Sequence, residues 1–150
     1  EQGGELFLAP LESGWAAQCW SLRERGLLVA GPDPRSLAGP IAPDALRPGA
    51  AAIAGEWATA ARDDPSWLDW LRERPHHRFV VQTLCRMLYS LATGEVASKP
   101  QAAAWARQAL GEPWAGLIRE TMAAPDQAPP DGRELDATIA FIAYVQSQAS

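Results

Sequence analysis

The sequence contains few lysines, cysteines and histidines and no long apolar run, which excludes several classes of protein. It has one lysine, Lys99, two cysteines and two histidines among 150 residues, and no apolar run approaches 18 residues. A transmembrane helix is therefore excluded at the sequence level, and no metal site is expected. Cys19 and Cys85 form no C-x-x-C motif, so we expect two buried free thiols in a reducing cytoplasm.

Several functional motifs and charge patterns are also missing. There is no G-x-G-x-x-G, no glycine-rich phosphate loop, no H-E-x-x-H and no G-x-S-x-G. The net charge of -5 and the pI near 5.0 argue against a nucleic-acid partner, because phosphate contacts need a basic surface. Glu1-Gln2-Gly3-Gly4 is neither basic nor apolar, so we expect no signal peptide, no membrane partner and a cytoplasmic location.

The residues that are present predict helices along almost the whole chain. Apolar residues recur at helical spacing, and Pro, Gly and Ser-x-x-Gln or Asp-x-x-Glu signals separate the runs. The predicted helices cover about 12–26, 49–62, a short run after Asp64-Pro65, 76–93, 99–110, a run after Pro113, and a last run opened by Asp131. The predicted fold class is all-α, a bundle of five or six helices preceded by an inter-domain helix and a Pro/Gly-rich linker.

A three-part organisation follows from the composition. Residues 31–48 hold most of the prolines that precede the main helices, so this stretch is predicted to be a linker. Residues 1–30 are then a leading helix and inter-domain connection, and residues 49–150 form the helical bundle domain.

Lys99 and Arg86 are the strongest candidates for a binding site. Lys99 follows Ser98 at the first turn of a predicted helix, where a cation opposes the helix dipole at a cost of about 0.3–1 kcal/mol. An anion at that helix start would explain its position, and Arg86 lies off the apolar face of the preceding helix. The alternative is a surface lysine together with an arginine paired to Glu95 or Glu73.

The two histidines support weaker hypotheses. His76 and His77 are adjacent and point about 100° apart on a helix, so one metal cannot bind both, and solvated or capping side chains are expected. Arg72 and His77 have the R-x4-H spacing of HEPN ribonucleases, although Pro75 interrupts the segment. Such a ribonuclease is an unfavoured alternative for the function, and we expect no RNA cleavage.

One segment carries a more specific pattern. Residues 82–106 resemble the motif T-L-x-R-x-x-Y-x-x-x-T-G-x-x-x-x-K-x-x-A-A-x-W-A of the C-terminal helical domain of aminoglycoside 3''/9-adenylyltransferases. The matching residues are Thr83, Leu84, Arg86, Tyr89, Thr93, Gly94, Lys99, Ala102, Ala103, Trp105 and Ala106. The looser similarity extends over roughly residues 15–147.

The resemblance implies a role in antibiotic resistance, by transfer of AMP from ATP to a hydroxyl of an aminoglycoside. In that family an N-terminal nucleotidyltransferase domain holds Mg²⁺ and the catalytic residues, and we expect this domain to be absent from the chain. By position in the motif, Arg86 and Lys99 would contact the ATP phosphates.

Acceptor recognition is implied at Trp67, with Asp69 nearby. The positions where the family has acidic residues hold Arg72 and His76, so another hydroxyl-bearing small molecule is an alternative acceptor. The chain has no catalytic residue of its own under this reading, and alone it is expected to be inactive. A free-standing helical interaction module that binds a nucleotidyltransferase is the remaining alternative.

Overall fold

The computed structural model describes residues 15–149, and all regular secondary structure in that range is helical, which confirms the predicted all-α class. The part of the predicted leading helix at residues 12–14 lies outside the described residues. The α-helices are α1 (Ala16–Arg25), α2 (Pro34–Leu37), α3 (Leu46–Asp63), α4 (Pro65–Leu71), α5 (Arg74–Thr93), α6 (Lys99–Ala109), α7 (Trp114–Ala123) and α8 (Gly132–Ala149). None of these helices combines the length and the apolar character needed to cross a bilayer.

Two helices begin earlier than the sequence predicts, and proline explains both differences. Helix α3 begins at Leu46 rather than near 49, with Pro48 inside its first turn. Helix α5 begins at Arg74 rather than 76, with Pro75 as its second residue. The first backbone N–H groups of a helix have no intrahelical acceptor, so a residue without an N–H costs nothing there.

The predicted caps form at the starts of α6 and α8 and at the end of α5. Ser98 accepts a hydrogen bond from the backbone N–H of Gln101 at the start of α6. At the start of α8, Asp131 and Glu134 accept from each other's backbone N–H groups at 2.8 and 3.0 Å. Gly94 ends α5 with φ 72°, and a Cβ there would lie 2.6 Å from Pro43, so only glycine fits this turn.

The core lies among the six helices α3–α8. Helix α5 is central and packs against α3, α4, α6, α7 and α8, while α3 pairs along its length with α8. The largest fully buried side chains include Phe141, Leu71, Leu84, Ile118 and Ile142. Cys85 is buried as expected, and burial raises the pKa of its thiol to about 12, whereas Cys19 in α1 is only half-buried.

Helix α1 contributes little to this core. It has no buried residue and lies mainly against α2 and α3. The segment after it exposes apolar side chains, with Leu27 at 89% and Val29 at 94% accessibility. Residues 31–48 contain α2 and one turn of 3-10 helix at Pro43–Ala45. The division into a leading helix, a linker and a bundle domain stays a prediction.

A buried polar network joins the starts of α5 and α8. Arg74 is 4% exposed and binds both oxygens of Glu134 at 2.7 and 2.9 Å, while its Nε donates to the carbonyl of Ala128. His77 is completely buried, with Nε2 2.8 Å from the Thr138 hydroxyl. The expectation of a solvated or capping His77 is therefore wrong, because position 77 continues the inward face of α5.

Because of this network, the stability of the fold should decrease as the pH is lowered. The hydrogen bond from Arg74 lowers the pKa of Glu134 from 4.5 to about 2, so its stabilising contribution is present above pH 4.5 and is lost between pH 4.5 and 2. Burial, and then the charge of Arg74, lowers the pKa of His77 below 6.5, so stability also falls as pH drops below 6.5. Urea unfolding measured across this pH range should show falling stability, and a flat profile would contradict it.

Candidate functional site

Lys99 is the first residue of α6, as the sequence predicts. Its ammonium lies 4.0 Å from the centroid of the Phe79 ring, within the range of a cation–π interaction. Partial burial, and then the nearby positive charge of Arg86, hold the pKa of Lys99 below its ordinary value. The side chain is therefore held at a defined place, near a second cation.

Arg86 lies two turns after Phe79 on α5, and Thr83 lies between them on the same face. Its Nε donates to the carbonyl of Ala97 at 3.0 Å, in the loop that leads into α6. This bond links α5 to the start of α6 and keeps Arg86 beside Lys99. Arg86 is also one of the residues that line a cavity of about 370 Å³ between α1, α3 and α5.

The two cations have no carboxylate partner within residues 15–149. The alternative in which Arg86 pairs with Glu95 or Glu73 does not occur, and Glu73 lies beside His76 instead. Two positive groups brought together without a counter-charge repel each other, and an anion between them would remove that repulsion. The arrangement has the chemistry of an anion site.

Trp67 lies in a separate, open depression on α4. A cavity of about 420 Å³ is lined by Asp64, Ser66, Trp67 and Trp70. Asp64 caps α4 by accepting hydrogen bonds from Ser66 and Trp67, and these bonds, the Ser66 hydroxyl first, lower its pKa. Two indole rings beside a carboxylate suit the apolar face of a sugar ring that also carries a polar substituent.

Asp69 does not line this cavity. It forms an exposed ion pair with Arg72, and His76 stacks on Trp70 with ring centroids 4.3 Å apart. The acidic charge at Asp69 and the basic charge at Arg72 thus offset each other. The structure does not bring Asp69 to the same depression as Trp67.

The geometry does not support a HEPN-type ribonuclease. His77 is completely buried and hydrogen-bonded to Thr138, while Arg72 is exposed and paired with Asp69. A nucleotide cannot reach His77 without opening the core. The two residues of the R-x4-H spacing thus lie in different environments, Arg72 in solvent and His77 in the core.

Phe79 is the functional candidate that the motifs missed. Its ring packs against Trp57 at 6.3 Å and edge-on against Trp70 at 6.4 Å, and Trp70 in turn lies 6.1 Å from Trp67. These rings, which we call the aromatic cluster, connect the Trp67 depression to Lys99. The sequence signal that could have identified Phe79 is its spacing of seven residues from Arg86, because this spacing places the ring and the predicted cation on the same face of a helix.

No group of three or more His, Cys, Asp or Glu side chains in the described range is arranged to hold a metal ion.

Comparison with protein-family models identifies a related domain family. A model of the family described as aminoglycoside adenylyltransferase, C-terminal domain, matches residues 54–146. The matched range contains Trp67, Phe79, Arg86 and Lys99, together with most of α3 and nearly all of α8. No curated protein matches the chain.

Proposed function

The chain belongs to the family of aminoglycoside adenylyltransferase C-terminal domains, and from this membership we propose that it contacts ATP and the acceptor during AMP transfer. Lys99 and Arg86 bind the phosphates of ATP, and Trp67 lines the surface that meets the acceptor. Mg²⁺ and the catalytic groups belong to a nucleotidyltransferase domain that works with this one.

The observation that carries the proposal is the pair of uncompensated cations. Lys99 and Arg86 lie close enough for the charge of one to lower the pKa of the other, and no carboxylate within residues 15–149 neutralises either. A triphosphate carries several negative charges and accepts hydrogen bonds from ammonium and guanidinium groups. In phosphoryl-type transfer, such cations stabilise charge that develops on the phosphate oxygens.

The proposed acceptor surface is the Trp67 depression, which the aromatic cluster connects to Lys99. Trp67 and Trp70 offer rings for stacking, and Asp64 and Ser66 offer hydrogen-bonding groups beside them. Asp69 lies within one helical turn of Trp67, but its ion pair with Arg72 leaves little free negative charge to attract a polycation. These features support a hydroxyl-bearing acceptor that stacks on Trp67, either an aminoglycoside or another small molecule.

Apolar surface near α1 supports the requirement for a partner domain. Leu27, Leu28 and Val29 are consecutive and all exposed, and neighbouring exposed apolar side chains of this kind suit an interaction surface. A nucleotidyltransferase domain packed there would cover it. An interaction module that binds a separate nucleotidyltransferase would use the same surface.

The single lysine makes a direct test of phosphate binding possible. In protein grown with ¹³C,¹⁵N-lysine, the labelled lysine side-chain NMR signals all belong to Lys99, and the terminal CH₂ signal reports on the ammonium. We expect ATP and tripolyphosphate to shift this signal and raise the pKa of Lys99, because a bound anion favours the charged ammonium. Adenosine, which lacks phosphates, is expected to leave it unchanged.

A matched variant separates this site from general charge attraction. Arg107 is an exposed cation on the same helix as Lys99. By calorimetry, Lys99→Ala should weaken ATP binding at least about fivefold, whereas Arg107→Ala should have little effect. Equal losses for the two variants, or equal lysine shifts with adenosine and ATP, would refute phosphate binding at Lys99.

A further inference from the structure

The Lys99 ammonium is held by an aromatic ring rather than by a carboxylate. Its Nζ lies 4.0 Å from the Phe79 ring centroid, and no ion pair involves Lys99 in the described part of the chain. A lysine side chain has four rotatable bonds, and without an anchor an exposed one samples many conformations. The ring therefore restricts where this positive charge lies.

The two kinds of anchor differ in what they leave for a ligand. A carboxylate would hold the ammonium but would neutralise its charge and compete with an incoming anion. An aromatic face attracts the ammonium through its quadrupole and carries no net charge. No carboxylate in the described residues neutralises the Lys99 ammonium on Phe79, and N–H groups that point away from the ring remain free to donate.

The Phe79 ring is itself held in orientation by other helices. It lies 6.3 Å from Trp57 of α3 and 6.4 Å edge-on from Trp70 of α4, while 42% of the residue stays exposed. Two helices thus fix the ring on its sides, and one face remains available to Lys99 of α6. Arg86 follows on the same side of α5, so the anchored ammonium lies near the second cation.

We infer that Phe79 is a positioning residue for nucleotide binding, which holds the Lys99 ammonium beside Arg86 so that both cations are in place before the phosphates arrive. This inference rests on the proposed contact of Lys99 with ATP. Phe79 itself touches no phosphate and acts through Lys99. A pre-positioned cation binds more tightly because less conformational entropy is lost on binding.

The first measurement examines the anchor without any ligand. In protein labelled only at lysine, the ring current of Phe79 should move the terminal CH₂ signals of Lys99 upfield of those of a free lysine. Phe79→Leu should abolish this shift, and Phe79→Tyr, which keeps a ring face, should retain it. An unshifted lysine signal in the wild type would overturn the inference.

The second measurement links the anchor to binding. We expect Phe79→Leu to weaken ATP binding about threefold to tenfold and Phe79→Tyr to restore near wild-type affinity. In the Lys99→Ala background, Phe79→Leu should cause no further loss, because the residue acts through Lys99. The inference is wrong if Phe79→Leu binds ATP with wild-type affinity. It is also wrong if Phe79→Leu weakens ATP binding as much in the Lys99→Ala background as in the wild type.

The two proposals fail in different ways. If the lysine signal is ring-shifted in the wild type but ATP does not move it, the nucleotide contact is wrong and the anchoring by Phe79 stands. If ATP moves the lysine signal and Phe79→Leu binds ATP as well as the wild type, the nucleotide contact stands and Phe79 has no positioning role. Circular dichroism of each variant checks that substitution of the partly exposed Phe79 leaves the helical fold intact.

Discussion

Replacing Glu134 with glutamine should lower the free energy of unfolding by about 3 kcal/mol or more, the largest stability loss expected from one polar substitution. Glutamine has the same shape but no charge, so it leaves the Arg74 guanidinium buried without a counter-ion. The side chains of this pair are only 3% and 12% exposed, which keeps water from replacing the lost partner. In a chain of this length the midpoint of thermal unfolding should fall by about 10 °C.

A surface ion pair provides the matched control. Arg133 and Glu120 also lie 2.9 Å apart, but their side chains are 74% and 43% exposed. Glu120→Gln should cost less than about 1 kcal/mol, because water screens the pair and solvates what remains. The double variant Arg74→Met with Glu134→Leu removes both buried charges and should recover much of the lost stability. Similar losses in Glu134→Gln and Glu120→Gln would show that burial of the first pair is unimportant.

The largest functional effect is expected for Lys99→Ala in AMP transfer. Measured with an adenylyltransferase that contains this domain, kcat/KM for ATP should fall at least tenfold, because the proposed contact between the Lys99 ammonium and the phosphates is lost. The acceptor KM should change little, since Lys99 lies at the opposite end of the aromatic cluster from Trp67. Radiolabelled ATP and varied concentrations of each substrate would separate the two constants.

Arg107→Ala again provides the control for a lost positive charge on α6, and its kinetics should resemble the wild type. Lys99→Arg keeps the charge but changes the shape of the donor, so a partial recovery is expected. Unchanged kinetics in Lys99→Ala would remove this residue from the proposed nucleotide site. The chain of 150 residues alone, mixed with ATP, Mg²⁺ and streptomycin, is expected to transfer no AMP.

The local features of the fold could be predicted because their signals span a few residues. Caps at Ser98 and Asp131 and the stop at Gly94 are each determined within one helical turn, and each is found where the sequence predicts it. The predicted starts of α3 and α5 are a few residues late, because Pro48 and Pro75 were expected to precede the helices. Both prolines lie inside the first turn, where a residue without an N–H is accommodated.

The candidate site also has features that the sequence predicts and features that depend on helix packing. Lys99 at a helix start and the fixed spacing of the motif around Arg86 are properties of the sequence, and they were sufficient to identify the family that the comparison confirms. The contact between Phe79 and Lys99 crosses from α5 to α6, and the pair of Arg74 and Glu134 spans 60 residues. Such contacts depend on how helices dock, because side-chain burial and distance are set by packing rather than by spacing along the chain. The sequence therefore determined the helices and their cations, and only the tertiary structure decided which ring holds Lys99 and that His77 is buried.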